Sequence, residues 1–448
     1  MNQNENIVPV YNFLSDEAAL PLTERRPVSA VVDGKQYEGM AQAILKTQPR
    51  PAIVLDGELS GIPPASVMTS SLINPDLLSE LLFDGKPIEG FSGGIWGNLD
   101  AVTNQFIWHP STLPVIGRGN EATLMKRVDF HLFNFRDIKT PGTGSEMRNN
   151  GGRAIHKITM LSSNIKVRIV SLFETSDQIE KVRAQGGTRL THVGRIERID
   201  QSEFAGTDAQ QYLHELKTFL SFSVGMLCLP VCACGFDDNG HRVWEAWSEP
   251  SQEFGSRNSW FHHGRCEQIS RAFPCYMKTI ERDIWAKTIH AAIYWYLKAN
   301  DDSRGIDAGV ILAQAAFERL AFTYLVSDKK VLTKAQFRTN KAAENFMTLF
   351  DELNIPTAIR PACVQLTRIS AMRDFAKLWT NLPMAITSIR NCLVHPETKD
   401  EQHYFDAMFD TWSASLWCLE LAILGVIGYD GEYWNRIEGR VEGVPWLS

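Results

Sequence analysis

Near Ser270 the apolar residues of this 448-residue chain change their spacing. Beyond it they recur every three or four positions, as on one face of a helix. Ile280, Ile284, Ile289, Ile293 and Tyr296 do so in residues 277–300, and Val310, Ala313, Phe317 and Leu320 in 305–326. Further helical stretches follow at 333–353, 357–379, 382–395 and 402–427. Before Ser270 the apolar runs are short and separated by segments dense in Gly and Pro. Segments of these two kinds, in this order, predict an α+β chain. A β-rich region is expected over 1–270, with a possible further division near 120–150, and a helical bundle over 271–448.

Within the first region, residues 30–38 place two strand-like runs around Asp33-Gly34, a strong hairpin signal. Residues 127–135 alternate, with Val128, Phe130 and Leu132 apolar, which predicts a half-buried strand. Ile165, Val167 and Ile169 mark one face of another strand. A helix is expected over 208–222, then an apolar strand holding Cys228, Cys232 and Cys234, a turn at 235–240 and a strand at 242–247. Residues 139–153 read as a mobile loop. Gly142 and Gly144 lack the strand–helix context and the Lys-Ser/Thr of a phosphate-binding loop, so no nucleotide site is expected there.

Apolar residues make up 44% and charged residues 22% of the chain, as in an ordinary globular protein. The longest apolar run, residues 416–427, is 12 residues long and contains Glu420, too short and too polar to cross a bilayer. No basic and apolar leader opens the chain, and its 8 cysteines suggest no disulfide framework, so a cytoplasmic location is expected. Cys228, Cys232 and Cys234 match no Cys-x2-Cys pair. Despite His241, His262, His263 and Cys266 downstream, they are expected to be small buried apolar side chains, not zinc ligands. The net charge of −7 argues against general nucleic-acid binding, yet residues 118–198 carry 15 basic and 8 acidic side chains. That segment either faces a polyanion or pairs with its acidic flanks on folding.

The helix at 382–395 is marked at both ends. Asn381 suits an N-cap, Pro383 suits the first turn, and Pro396 forbids continuation past His395. Ala385, Ile386, Ile389, Leu393 and Val394 supply an apolar face. Arg390, Asn391 and His395 then lie beside it. A guanidinium is a permanent cation whose planar fork matches phosphate oxygens, and an imidazole exchanges a proton near neutral pH. Together they suit cleavage of RNA, which brings its own nucleophile as the 2′-hydroxyl. The plain alternative is a surface salt bridge and a helix-end histidine. Arg257 and His262 repeat the Arg-Asn-x3-His spacing without helical periodicity or a terminating proline, so context distinguishes the two pairs.

Ile389-Arg-Asn-Cys-Leu-Val-His-Pro396, late in a helical region, resembles the Arg-x4–6-His signature of HEPN domains. It is closer still to the Apea-like HEPN group, in which a polar residue follows the arginine and a proline the histidine. The similarity covers about residues 271–448. Thr191-His-Val-Gly-Arg-Ile-Glu197, then Phe219-Leu-Ser-Phe222 with Gly225, then the turn before Val243-Trp244 resemble the ApeA-type N-terminal domain that accompanies that group. This second similarity covers about residues 150–250 and the first 150 only loosely. The resemblance implies a helical bundle that forms a homodimer through the motif helix. It implies a metal-independent endoribonuclease with no cofactor, with Arg390, Asn391 and His395 catalytic. Glu318, in Phe317-Glu-Arg-Leu-Ala321, would orient the arginine. The implied role is anti-phage defence of the abortive-infection type, with RNA as substrate and a phage-derived trigger at the N-terminal region. The alternative is a non-catalytic RNA- or nucleotide-binding or dimerisation module with a sensor domain.

Overall fold

The computed structural model describes residues 7–13, 17–63, 78–97, 103–136, 138, 146–147, 154–251, 257–395 and 401–447. Most of the loop expected at 139–153 lies outside these residues. The chain divides into two compact units. One comprises Met1–Asp137, Arg168–Leu213 and Leu229–Phe254, the other Ile138–Val167, His214–Cys228 and Gly255–Ser448. A β-rich N-terminal part is followed by a helical C-terminal part, an α+β architecture. The units nevertheless interleave in sequence instead of parting at one cut near residue 270.

In the first unit a sheet is built from β1 (Ala19–Pro21), β2 (Arg26–Val32), β3 (Lys35–Lys46), β4 (Ala52–Ser60), β5 (Leu78–Phe83), β6 (Lys86–Pro87), β7 (Gly90–Trp96) and β8 (Thr103–Pro110). Its spatial order is β6-β5-β2-β3-β4-β8-β7, with β1 also on β3. Asp33 and Gly34 take φ of 50° and 73°, the left-handed pair a two-residue hairpin turn needs between β2 and β3. A second sheet contains β9 (Val115–Arg118), β10 (Arg127–Phe133), β11 (Ile165–Ser171), β12 (Leu190–Arg198), β13 (Pro230–Phe236) and β14 (Arg242–Trp247). These follow the order β11-β12-β10-β13-β14-β9. One core joins the two sheets: Ala43, Leu55 and Trp108 from the first pack with Val193, Val231 and Trp247 from the second.

Strand β10 departs from expectation. Both of its faces are buried, although its sequence alternates. The polar residues that suggested an exposed face, Asp129 and His131, are 5% and 0% exposed and fully partnered. Asp129 holds Arg195, while His131 lies between the Val10 N–H and the Cys232 carbonyl, each at 3.0 Å. The sequence also shows no sign of α1 (Thr175–Gln185), a polar helix ahead of α2 (Gly206–Val224).

The second unit continues with α3 (Glu267–Ile280), α4 (Asp283–Ala299), α5 (Ile306–Ala321), α6 (Lys334–Thr339), α7 (Ala342–Glu352), α8 (Val364–Ser370), α9 (Leu382–Val394), α10 (Glu401–Asp406) and α11 (Met408–Ile427). The helix expected over 277–300 is two, because Arg282 turns extended (φ −89°, ψ 112°) and pairs with Asp328. The one expected over 333–353 breaks where Asn340 and Lys341 become extended. Of 357–379 only Val364–Ser370 is helical; Phe375 and Trp379 bury their rings from an irregular segment instead. The tail is a hairpin, Glu432–Asn435 with Arg440–Gly443.

Residues 214–224 of α2 belong to the helical unit because their aromatic rings pack there. Phe219 meets Phe273 and Tyr276, and Phe222 meets Trp260 and Tyr296. Helix α11 buries most of its length. Its Glu420 is fully enclosed, 2.5 Å from the Arg436 guanidinium, and accepts from the Tyr296 hydroxyl at 2.6 Å. Residues 306–328 and 408–427 are apolar and long enough to cross a membrane by composition alone, but most of each is buried within the protein, as in core helices.

Candidate functional site

Helix α9 starts and stops for local reasons. Asn381, in extended conformation, accepts a hydrogen bond from the Met384 N–H at 2.9 Å, and Pro383 occupies the first turn. Leu382, Ala385, Ile386 and Ile389 are at most 1% exposed and fix the helix against α5, α7 and α11. His395 leaves the helix at φ −126° and ψ 109°, its N–H still bonded to the Asn391 carbonyl at 2.9 Å. Pro396 itself lies outside the described residues.

The last turn therefore presents polar groups to solvent. Arg390 is half-buried, Asn391 and His395 are exposed. The guanidinium of Arg390 donates to Asn391 Oδ1 at 3.3 Å and meets no carboxylate among the described residues. Its Nε is buried without a hydrogen-bond partner among them. Arg257 differs from Arg390 in this respect. That guanidinium is 2.8 Å from Asp301, so the second Arg-Asn-x3-His sequence contains a structural ion pair. Glu318 does not join Arg390; it is exposed on α5 and accepts from Gln314 Nε2 at 3.0 Å. Of the apolar face of the motif helix, through which a homodimer is expected, Ile386 and Ile389 are core residues of a single chain, because α9 is enclosed by its neighbours. Val394, 39% exposed, remains at the surface beside His395.

Other sequence candidates also resolve. Cys228, Cys232 and Cys234 are free and buried, and burial pushes their thiols up, Cys234 to about 12. They serve as small apolar side chains. In the basic segment, Arg195 pairs with Asp129, Arg168 with Glu197, Arg198 with Asp208, Lys126 with Asp238 and Arg118 with Glu245. Three of these partners come from the acidic stretch that follows, so much of the positive charge is neutralised within the unit. A cleft of about 580 Å³ in the same unit is lined by Lys86, Ile88, Glu89, Pro114, Val115 and Glu121, among others.

One cluster had no sequence signal. His214 and Glu215 on α2 meet His290 on α4, with donor atoms all within 4.8 Å of one another. His290 Nε2 is 2.8 Å from Glu215 Oε2, which also accepts from the Tyr276 hydroxyl at 2.7 Å. Burial would raise the Glu215 carboxyl, but the hydrogen bonds from His290 and Tyr276 outweigh it and hold the group below its ordinary value. Burial also lowers His214. The 75 residues separating Glu215 from His290 match no ligand spacing, so only the fold brings them together.

Residues 282–445, which contain α9, match the family model described as the YopA C-terminal domain. Residues 120–254 match the one described as the YopA central domain. The chain is also 26% identical over 346 residues to the SPbeta prophage-derived protein YopA of Bacillus subtilis (strain 168), covering 73% of each protein. No solved structure matches. These descriptions name an origin in a prophage and no activity; the chain is similar to that protein in both its β-rich and its helical part.

Proposed function

We propose that the chain is a metal-independent endoribonuclease of the HEPN type, with its site at the C-terminal end of α9. The observation that carries this reading is Arg390: a half-buried guanidinium with no carboxylate partner among the described residues, five residues from an exposed histidine. Such a cation is ready for a phosphate. The substrate's 2′-hydroxyl attacks phosphorus, the bond to the 5′-oxygen breaks, and a 2′,3′-cyclic phosphate and a 5′-hydroxyl remain. Arg390 stabilises the charge that develops on the phosphoryl oxygens, and Asn391 holds a phosphate oxygen or the imidazole. His395 either takes the 2′-hydroxyl proton or delivers one to the 5′-oxygen.

A single chain supplies only part of this arrangement. On an ideal helix five positions separate two groups by about 140° of rotation and about 7.5 Å of rise, and His395 turns extended at the end. A twofold axis at the exposed end of α9 brings Arg390 and His395 of two copies around one phosphate and provides both proton-transfer groups. The setting we propose is a cytoplasmic, abortive-infection type of defence, in keeping with a relative described as prophage-derived. The first unit would then sense a phage-derived trigger, with its 580 Å³ cleft as a place to bind it.

The same splay favours a second reading, a non-catalytic HEPN-type module that binds RNA or nucleotide or dimerises. Incubating RNA with the full chain in EDTA separates the two. Cleavage that is lost in Arg390→Ala and His395→Ala supports the nuclease; RNA binding without cleavage, in the presence and absence of phage lysate, supports the module.

A further inference from the structure

We propose that His214, Glu215 and His290 bind a divalent transition-metal ion of the zinc class, which fastens residues 214–224 of α2 to α4. The donor set is two imidazole nitrogens and a carboxylate oxygen, the ligand types that zinc takes at about 2.0–2.2 Å. Donors around such an ion stand roughly 3.3–3.5 Å apart in a tetrahedron. The 2.8 Å between His290 Nε2 and Glu215 Oε2 and the limit of 4.8 Å for the whole group bracket that spacing. Closing the site requires opening the first contact and swinging in His214, whose side chain is exposed.

The surroundings are those of a ligand cluster. Adjacent residues on a helix diverge by about 100°, yet here the rings of His214 and His290 meet edge to face at 5.3 Å. The buried Tyr276 hydroxyl donates to Glu215 Oε2, the oxygen that His290 also meets, and holds the carboxylate as outer-sphere donors do at metal centres. Lys217 opposes the ion electrostatically. The exposed side of His214 leaves room for a water as the remaining ligand.

The test uses the full chain, stripped with EDTA and desalted, titrated with zinc chloride in a calorimeter and with cobalt(II) in a visible spectrophotometer. The expected result is one saturable ion per chain, a rise in melting temperature, and affinity lowered at least tenfold in His214→Ala and again in His290→Ala. His214 lies at the surface, so its variant reports on ligation without disturbing the core. No saturable binding, or binding by His214→Ala equal to that of the parent, overturns the site in favour of a plain His290–Glu215 ion pair. Cleavage at Arg390 and His395 is predicted to persist in EDTA, so the two proposals fail independently.

Discussion

Asp129 and Arg195 stand directly opposite each other on β10 and β12, joined by two hydrogen bonds of 2.6 and 2.9 Å. Their side chains are 7% and 6% exposed. Removing one partner strands a charge in the core, at a cost of about 3–5 kcal/mol. Asp129→Ala is therefore expected to lower the urea midpoint of the first unit strongly, whereas replacing both residues with leucine costs much less. A loss below about 1 kcal/mol in the single variant would show the pair to be solvated in solution.

His131 makes stability depend on pH. Burial lowers its pKa from 6.5 to about 4, against weaker support from hydrogen bonds to Cys232 and Val231 and in concert with nearby Arg242. Its Nε2 accepts from the Val10 N–H, so Nδ1 carries the proton and donates to Cys232. Between about pH 6.5 and 4 the unfolded chain binds a proton that the folded one refuses. Stability from this group is complete above pH 6.5 and falls as pH drops through that window, by about 3 kcal/mol in all. Urea unfolding at pH 7 and pH 5 should differ more for the parent than for His131→Gln; equal slopes would mean that His131 is protonated in the fold.

A shared site predicts complementation. Arg390→Ala and His395→Ala, each inactive alone, should recover part of the cleavage when mixed and allowed to exchange, because mixed dimers hold one intact group of each kind. Activity of the mixture no greater than the sum of its parts, or full activity in a species that sediments as monomer, contradicts the twofold arrangement.

Local signals in the sequence were reliable guides. Asn381, Pro383 and the residue before Pro396 bracket α9 as read, and Asp33-Gly34 turns the hairpin as read, because each acts through its own backbone. Long-range partners were not legible. Asp129 and His131 looked like an exposed face because Arg195, Val10 and Cys232, which make their burial tolerable, are distant in sequence. Helix breaks at Arg282 and Lys341 interrupt apolar periods that continue through them. For the site, Arg390, Asn391 and His395 share one helix end and could be found by spacing. The bond of Glu318 to Gln314 is local, four residues along one helix, whereas the meeting of Glu215 with His290 depends on how helices pack, which spacing does not encode.

The most direct measurement is the chemistry of the RNA ends left in EDTA. The parent chain should leave 2′,3′-cyclic phosphates and 5′-hydroxyls. Their yield should fall roughly 10²–10³-fold in Arg390→Ala, by analogy with the loss of one charge-stabilising donor, and to background in His395→Ala. His262→Ala, in the other Arg-Asn-x3-His sequence, should cleave as the parent does. Absence of cyclic-phosphate ends under every condition of activation, or equal yields from the parent, Arg390→Ala and His395→Ala, would contradict a ribonuclease centred on the end of α9.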